Sequence, residues 1–281
     1  MIWGTTYLAI SIALETIPPA LVGAIRYMFA GGILIVLLRF TGERLPDLQR
    51  WLGLSLAAFL MVVLGNGGVI WAQQWIPSGI TAVTLASTPF WMIGVEACLP
   101  GGERLTIRSV AGVLIGFAGI VVLVWPDLAS GGASGGQFLL GMVSLQIACL
   151  GWALGSSYSR RHPRSDNAMM AAAGQMLSGG LMLLVVAAAR GEFRDLTFTP
   201  RSLAAEAYLA AVGSLAGYSA YIYALKYLPV SVVSLYAYAN PVIAVLLGTV
   251  LLAEPFGPRV IVATGTVLLG ITVVRSGGGK S

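Results

Sequence analysis

One apolar stretch of the chain, SLYAYANPVIAVLLG at residues 234–248, carries polar groups in its middle. Tyr236 and Tyr238 supply phenols and Asn240 an amide, while Pro241 lacks an N–H and so frees the carbonyl of Ala237 in a helix. In lipid, a freed carbonyl needs a partner from a neighbouring helix, water or a solute. The stretch therefore predicts a hydrogen-bonding site for a solute. The alternative is that Asn240 only satisfies the kink within a helix bundle.

A second stretch, WIPSGITAVTLASTPFW at 75–91, has the same design. Thr88 stands just before Pro89, as Asn240 stands before Pro241, and Pro89 frees the carbonyl of Leu85. Kinked helices at matching places of two halves are a sequence signal for the binding site of a transporter. We expect Pro89 and Pro241 to act as hinges, and Thr88 and Asn240 to line a cavity.

Three further residues are binding candidates. Arg26 lies well inside an apolar run, where its burial costs at least about 2.5–3.5 kcal/mol. Its partner is a substrate carboxylate, a freed carbonyl or Glu96, and a purely structural clamp is an equal alternative. Asn66 in GNGG and Trp91 fall in neighbouring runs. With Tyr236 and Tyr238, Trp91 would make an aromatic wall suited to amphipathic or aromatic solutes, including amines through cation–π contacts.

Energy coupling has few candidate groups. The four aspartates fall in loops, and Glu96 is the glutamate placed inside an apolar run. Proton relays in membranes use intramembrane carboxylates or histidines. We therefore expect either facilitated diffusion down the substrate gradient or coupling through Glu96 alone.

The composition of the chain indicates that these residues lie in a membrane protein. Of 281 residues 57% are hydrophobic and only 10% charged, against about 25% charged in soluble domains. Apolar runs of about 20 residues recur, and each is long enough to cross a bilayer as a helix. The fold class is therefore an all-α membrane protein with ten transmembrane helices. They are predicted near 1–15, 19–39, 51–75, 78–99, 106–126, 137–160, 167–189, 203–227, 230–252 and 259–275.

Other classes of function fit poorly. The basic residues are scattered among loops, which argues against nucleic acid as a partner. Cys98 and Cys149 lie in apolar runs and His162 in a loop, so we expect no metal site and no cofactor. An intramembrane enzyme would need a nucleophile–base pair or catalytic carboxylates. The alternatives to a transporter are a channel, which would show rings of charge, and a structural or receptor membrane protein. The expected partners are a small-molecule substrate and the lipid bilayer, with a homodimer as an open alternative.

The two halves of the chain resemble each other, which predicts domains at 1–126 and 137–275. Five helices per half is an odd number, so the second half starts from the opposite side of the membrane as an inverted repeat, a basis for alternating access. Four pairs of segments match in order: GTTY with GSSY, AIRYMFAGG with AGQMLSGG, WIPSGITAVTLASTPFW with YLPVSVVSLYAYANPVI, and ERLTIRSVAGVLIGFAGIVVLV with EPFGPRVIVATGTVLLGITVVR.

Loop charges orient the helices, because cytoplasmic loops carry an excess of Lys and Arg. We expect both termini in the cytoplasm, and three of the four outer charges share the loop 190–201. The inner residues are Arg39, Arg44, Arg50, Arg104, Arg108, Arg160, Arg161, Arg164, Lys226, Arg275 and Lys280; the outer ones are Arg190, Arg194, Arg201 and Arg259.

The start of the chain departs from the repeat. The second half has apolar sequence from about Gln137 before Trp152, whereas only Met1 and Ile2 precede Trp3. We expect the first helix to be truncated by about three turns, through a misplaced start codon or a trimmed chain.

An ordered set of motifs runs along the chain: Trp3-Gly4 with Tyr7, Arg26, GNG at 65–67, PSGI at 77–80, TPFW at 88–91, WALGSSYSRR at 152–161, YALKYLPVS at 223–231 and SLYAYANPVIAVLLG. This set resembles the drug/metabolite transporter superfamily, specifically the ten-helix proteins with two EamA repeats. The resemblance implies export of amino acids, other small metabolites or amphipathic drugs from the bacterial cytoplasm. It also implies a central cavity framed by helices 1–4 and 6–9, with helices 5 and 10 peripheral.

Overall fold

The computed structural model describes residues 2–100, 106–129, 133–162, 167–228, 233, 236–252 and 257–277. All regular structure in these ranges is helical, which confirms the predicted all-α class. The helices are α1 (Ile2–Ala13), α2 (Pro19–Phe40), α3 (Leu48–Ala72), α4 (Ser78–Cys98), α5 (Ile107–Ala129), α6 (Ala133–Arg161), α7 (Ala168–Arg190), α8 (200–227), α9 (Tyr236–Leu252) and α10 (Pro258–Gly277).

Three of these helices are irregular in their middles. α3 contains a π-helical segment at Phe59–Gly67, and α8 contains one at Leu209–Tyr218. α4 consists of Ser78–Leu85 and Thr88–Cys98, joined by a tight turn. Such departures from α geometry concentrate at functional sites, because they redirect side chains and backbone groups.

Within the described residues, five helices are long and apolar enough to cross a bilayer: α2, α3, α4, Gly135–Arg161 of α6, and α7. Large apolar side chains such as Phe29, Leu114 and Val185 are exposed on the outside of the bundle, while Arg26 and Gln175 are buried inside. Apolar groups outside and polar groups within are expected where lipid is the solvent. The membrane-protein fold is confirmed, and crossing by all ten helices stays a prediction.

Helix pairs in the two halves pack in a reciprocal pattern. α2 packs along α7, α5 along α10 and α4 against α9, so each of these pairs joins the two halves. α1 packs on α9 and α8, and its counterpart α6 packs on α4 and α3. Helices five apart in order therefore occupy equivalent places.

The connections meet at two ends of the bundle. At one end Asn167 donates to Glu43 (2.8 Å). At the other end the hydroxyl of Thr16 donates to Ser202 (2.7 Å), and Glu192 accepts from the backbone N–H of Ala20 (2.9 Å) at the start of α2. We call these the inner and outer ends, after the predicted orientation.

Close contact between α2 and α7 depends on glycine. A Cβ atom added at Gly31 would lie 2.7 Å from the backbone nitrogen of Leu177 and 3.0 Å from the carbonyl oxygen of Ala173. Both obstacles are backbone atoms, so relief requires the two helices to separate. A Cβ at the adjacent Gly32 meets nothing within 4 Å.

We expect Gly31→Ala to lower the free energy of unfolding in detergent by about 1–3 kcal/mol, as overpacking does. Gly32→Ala is the matched control and should be neutral or slightly stabilising, because alanine favours a helix by up to about 1 kcal/mol over glycine. Equal effects of the two substitutions on thermal unfolding would contradict the packing described for α2 and α7.

Candidate functional site

A cavity of about 60 Å³ lies between α1, α3, α4, α6 and α9. Helices α5 and α10 contribute no described residue to its wall, and neither do α2, α7 and α8. Its polar side chains are Thr6, Tyr7, Asn66, Thr88, Cys149 and Asn240, and its aromatic members also include Trp3 and Trp152. Three of the predicted binding residues, Asn66, Thr88 and Asn240, are therefore brought together.

The turn within α4 places Thr88 in this wall. Pro89 cannot donate a hydrogen bond to the carbonyl of Leu85, and the hydroxyl of Thr88 donates to that carbonyl instead (2.6 Å). The same hydroxyl lies 3.4 Å from the sulfur of Cys149 on α6. Thr88 thus satisfies the carbonyl that Pro89 leaves open and also lines the cavity. A structural role and a binding role for this residue therefore do not exclude each other.

Asn240 supplies an unused acceptor on the opposite wall. Its side chain is 3% exposed, and its Oδ1 atom has no hydrogen-bond partner within the described ranges. The phenol of Tyr7 on α1 interacts with this amide. α1 approaches α9 closely here, since a Cβ at Gly4 would lie 3.1 Å from the carbonyl oxygen of Asn240. An unpaired amide oxygen in a buried wall is suited to accept from a solute.

Asn66 enters the wall from the π segment of α3. Its Nδ2 atom donates to the carbonyl of Met61 (3.2 Å), five residues earlier in the same helix. The π segment provides carbonyls outside the regular α ladder. The equivalent segment of α8 carries Ser214, which accepts from Arg26.

Aromatic rings close the cavity toward the inner end. Trp3 and Trp152 meet edge to face at 5.2 Å, and Trp152 lies 4.8 Å from Tyr221. The indole N–H of Trp152 donates to the hydroxyl of Tyr221 (2.9 Å). Tyr218 continues the cluster at 6.0 Å from Trp152. We call Trp3, Trp152, Tyr218 and Tyr221 the aromatic floor.

Arg26 lies behind α1, outside the cavity wall. It is 1% exposed, and its Nε atom donates to the hydroxyl of Ser214 on α8 (2.9 Å). A Cβ at Gly213 would be 3.1 Å from Nη2 of Arg26 and 3.0 Å from Cγ2 of Thr6. Thr6 lines the cavity, so a single helix separates the guanidinium from it.

Trp91 and Glu96 also lie outside the cavity wall. The indole N–H of Trp91 donates to Gln146 on α6 (2.9 Å). Glu96 accepts from the hydroxyl of Ser157 (2.5 Å) and from the guanidinium of Arg161 (2.7 Å) at the inner end. Of the partners considered for Arg26, Glu96 is therefore engaged elsewhere.

The remaining predicted residues belong to α9. Pro241 lies inside this helix, and its role as a hinge stays a prediction. The side chains of Tyr236 and Tyr238 lie outside the described part of the chain.

The sequence analysis did not predict any residue of α1 as a binding residue. Trp3, Thr6, Tyr7 and Ile10 all line the cavity, and their spacing of three, one and three residues places them on one helix face. That periodicity was the available signal. Cys149 carried no such signal, because a cysteine in an apolar run is usually a small core residue.

The cavity wall offers hydrogen-bonding groups that carry no formal charge. Hydroxyls, amides and a thiol line it beside aromatic rings, and its described members include no Asp, Glu, Lys, Arg or His. In the part of the chain that the structure describes, no three His, Cys, Asp or Glu side chains form a group that could hold a metal.

Comparison with known proteins agrees with this architecture. An uncharacterized inner membrane transporter of Escherichia coli, YedA, is 34% identical over 280 residues, which are 99% of this chain and 88% of that protein. An uncharacterized transporter of Archaeoglobus fulgidus is 25% identical over 97% of this chain and 94% of its own length. A crystal structure 22% identical in sequence has the same fold, with a TM-score of 0.66 over 97% of this chain and 94% of that one.

The family evidence is found in both halves. The profile of the EamA-like transporter family matches residues 1–125 and again residues 139–276. The chain therefore belongs to the EamA-like transporter family.

Proposed function

We propose that the protein exports a small, net-neutral metabolite, such as an amino acid zwitterion or an amphipathic aromatic solute, across the inner membrane. The observation that carries the proposal is the buried, unpaired amide oxygen of Asn240 in an uncharged wall that also offers hydroxyl groups. A solute with net charge would lose its hydration there without a counter-charge. The relative in Escherichia coli supports the inner membrane as the location.

Alternating access explains the size of the cavity. Its volume of about 60 Å³ is far below the roughly 300–1,000 Å³ of ligand pockets. A metabolite therefore requires the walls to separate. Pro89 and Pro241 lie in α4 and α9, which pack against each other and belong to different halves. An inverted relation between the halves would let them open the same cavity to either side in turn.

A vestibule at the inner end supports loading from the cytoplasm. It measures about 240 Å³ and is lined by residues of α3, α6, α7 and α8, among them Tyr158, His162 and Lys226. Gln175 also lines it and accepts from the hydroxyl of Tyr218 (2.7 Å), a member of the aromatic floor. The floor would thus be the barrier between vestibule and cavity, and both termini would be cytoplasmic.

Counterflow in proteoliposomes tests the proposal. Vesicles are loaded with unlabelled L-phenylalanine, L-glutamate or tetraphenylphosphonium, and entry of the same labelled compound is followed. A carrier exchanges label against unlabelled substrate, whereas a channel is not accelerated by solute on the far side. We expect counterflow of L-phenylalanine and none of L-glutamate. Counterflow of tetraphenylphosphonium alone would refute a net-neutral substrate, and counterflow of L-glutamate alone would refute the uncharged site.

A further inference from the structure

A second buried polar site lies behind α1, at the carboxyl group of Glu206 on α8. This side chain is 4% exposed, and neither of its oxygens has a hydrogen-bond partner among the described residues. An ionised carboxylate without partners is costly inside a protein, and uptake of a proton removes that cost. Structural glutamates in a bundle normally have their acceptors satisfied.

The charged group facing Glu206 is Arg26 of α2. The carboxyl of Glu206 interacts electrostatically with the guanidinium and also with the backbone N–H of Arg26, but no ion pair within 4.0 Å joins the two side chains in the described chain. Arg26 donates through Nε to Ser214, and its Nη1 atom has no hydrogen-bond partner among the residues that the structure describes. The charge of the guanidinium favours the ionised form of the carboxylate. Without an ion pair within 4.0 Å, however, the carboxyl is not fixed in one protonation state.

Other titratable groups near this part of α8 are already engaged. From α1, Thr5 forms a short hydrogen bond with the phenol of Tyr208. Glu15, in the turn that follows α1, pairs with Arg201 of α8 (3.2 Å) at the outer end, where the side chain of Glu15 is 43% exposed. Glu192, in the connection before α8, pairs with Arg190 and accepts from the start of α2.

Glu96 differs from Glu206 in that its carboxylate oxygens have hydrogen-bond partners. Both of its oxygens are bound, one by Ser157 and the other by Arg161. Its charge is compensated at the inner end, so a change in its protonation would first have to break an ion pair.

The position of Glu206 connects it to the cavity. Gly213, in the π segment of α8, lies close to both Arg26 and Thr6, and its carbonyl accepts from the indole of Trp3 (3.3 Å). Thr6 and Trp3 both line the cavity. A change of charge between α2 and α8 therefore acts on the helix that forms one wall of the cavity.

We infer that Glu206 is a proton-binding site of the transport cycle. Its carboxyl takes up a proton when the bundle is open to the outside and releases it, leaving a carboxylate beside Arg26, when the bundle is open to the inside. One proton would then enter for each solute exported. The inference rests on the proposed transport function.

Infrared difference spectroscopy tests the site without any transported solute. The purified protein is titrated with acid and base while the carbonyl stretch of a protonated carboxylic acid in an apolar setting is followed. We expect this band in the unaltered protein and in Glu15→Gln, and its loss in Glu206→Gln. Absence of the band in the unaltered protein, or its persistence in Glu206→Gln, would overturn the assignment.

Transport gives the second test, with the probe that shows counterflow. A pH difference of one unit can support up to about a tenfold solute gradient when one proton is exchanged. We expect Glu206→Gln to abolish this accumulation while counterflow continues, and Glu15→Gln to keep both. Accumulation retained in Glu206→Gln but lost in Glu96→Gln would move the coupling to Glu96. Absence of counterflow in the unaltered protein would refute the transport function, and the infrared band would still decide the proton site.

Discussion

Asn240→Ala is expected to slow transport of a net-neutral solute by about tenfold or more. The buried Oδ1 atom of Asn240 has no partner in the described chain, and a hydrogen bond from a substrate ammonium is worth about 1.5–3 kcal/mol. Because the amide of Asn240 also interacts with the phenol of Tyr7 on α1, thermal unfolding of the variant is compared with that of the unaltered protein. Initial rates of counterflow in proteoliposomes, at equal amounts of inserted protein, measure the effect.

Thr249→Ala is the matched control for this prediction. Thr249 lies about two and a half turns further along α9, where its hydroxyl donates to the carbonyl of Val245 in the same helix (2.8 Å). Its loss should change neither the rate nor the amount of inserted protein. Equal rates for Asn240→Ala and the unaltered protein would place the substrate site away from Asn240.

Arg26→Ala is expected to affect both stability and transport. Its charged hydrogen bond to Ser214 joins α2 to α8, and such bonds contribute about 1.5–3 kcal/mol to the free energy of unfolding. α1 packs in front of this contact, so its loss also loosens one wall of the cavity. Arg26→Lys should not restore transport fully, because an ammonium lacks the planar array of donors. Thermal unfolding in detergent and counterflow rates provide the two readouts.

A double-mutant cycle with Glu206→Gln shows whether the two buried side chains interact. We expect the effects of Arg26→Ala and Glu206→Gln on unfolding to be non-additive by about 0.5–3 kcal/mol, the range for neighbouring groups. Arg39→Ala serves as the control arginine, since its Nη1 atom donates to the backbone carbonyl of Glu43 in an exposed place. Strict additivity of Arg26→Ala and Glu206→Gln would show that Arg26 and Glu206 act independently.

The parts of the site that sequence could predict are those set by local chemistry. A proline in an apolar run implies a freed carbonyl, and Thr88 is found bonded to the one that Pro89 leaves open. Thr88 and Asn240 fall in one cavity, as the matching prolines in the two halves suggested, and the separate candidate Asn66 lies in the same wall. The burial of Arg26 also follows from its place in an apolar run.

Other parts depend on contacts between distant segments. Ser214 is 188 residues from Arg26 in sequence, and nothing in the pattern around either residue specifies that pairing. Periodicity assigns a residue to a face of its helix but does not say which helix covers that face. The sequence therefore predicts the depth of Arg26 in the membrane, but it does not predict that Arg26 lies behind α1. The π segments of α3 and α8 shift the facing residues further, because they change the angular spacing along the helix.

Native cysteine chemistry offers the most direct test of alternating access. Cys149 lies in the cavity wall and is 0% exposed, whereas Cys98 is exposed near the inner end. In a Cys98→Ser background, Cys149 is the remaining cysteine. A charged, membrane-impermeant thiol reagent is added to right-side-out or to inside-out membrane vesicles, with and without the transported solute. Alternating access predicts modification of Cys149 from both sides, and a change in both rates when the solute is present. Modification from one side only, under every condition, would contradict a cavity that opens to each side in turn.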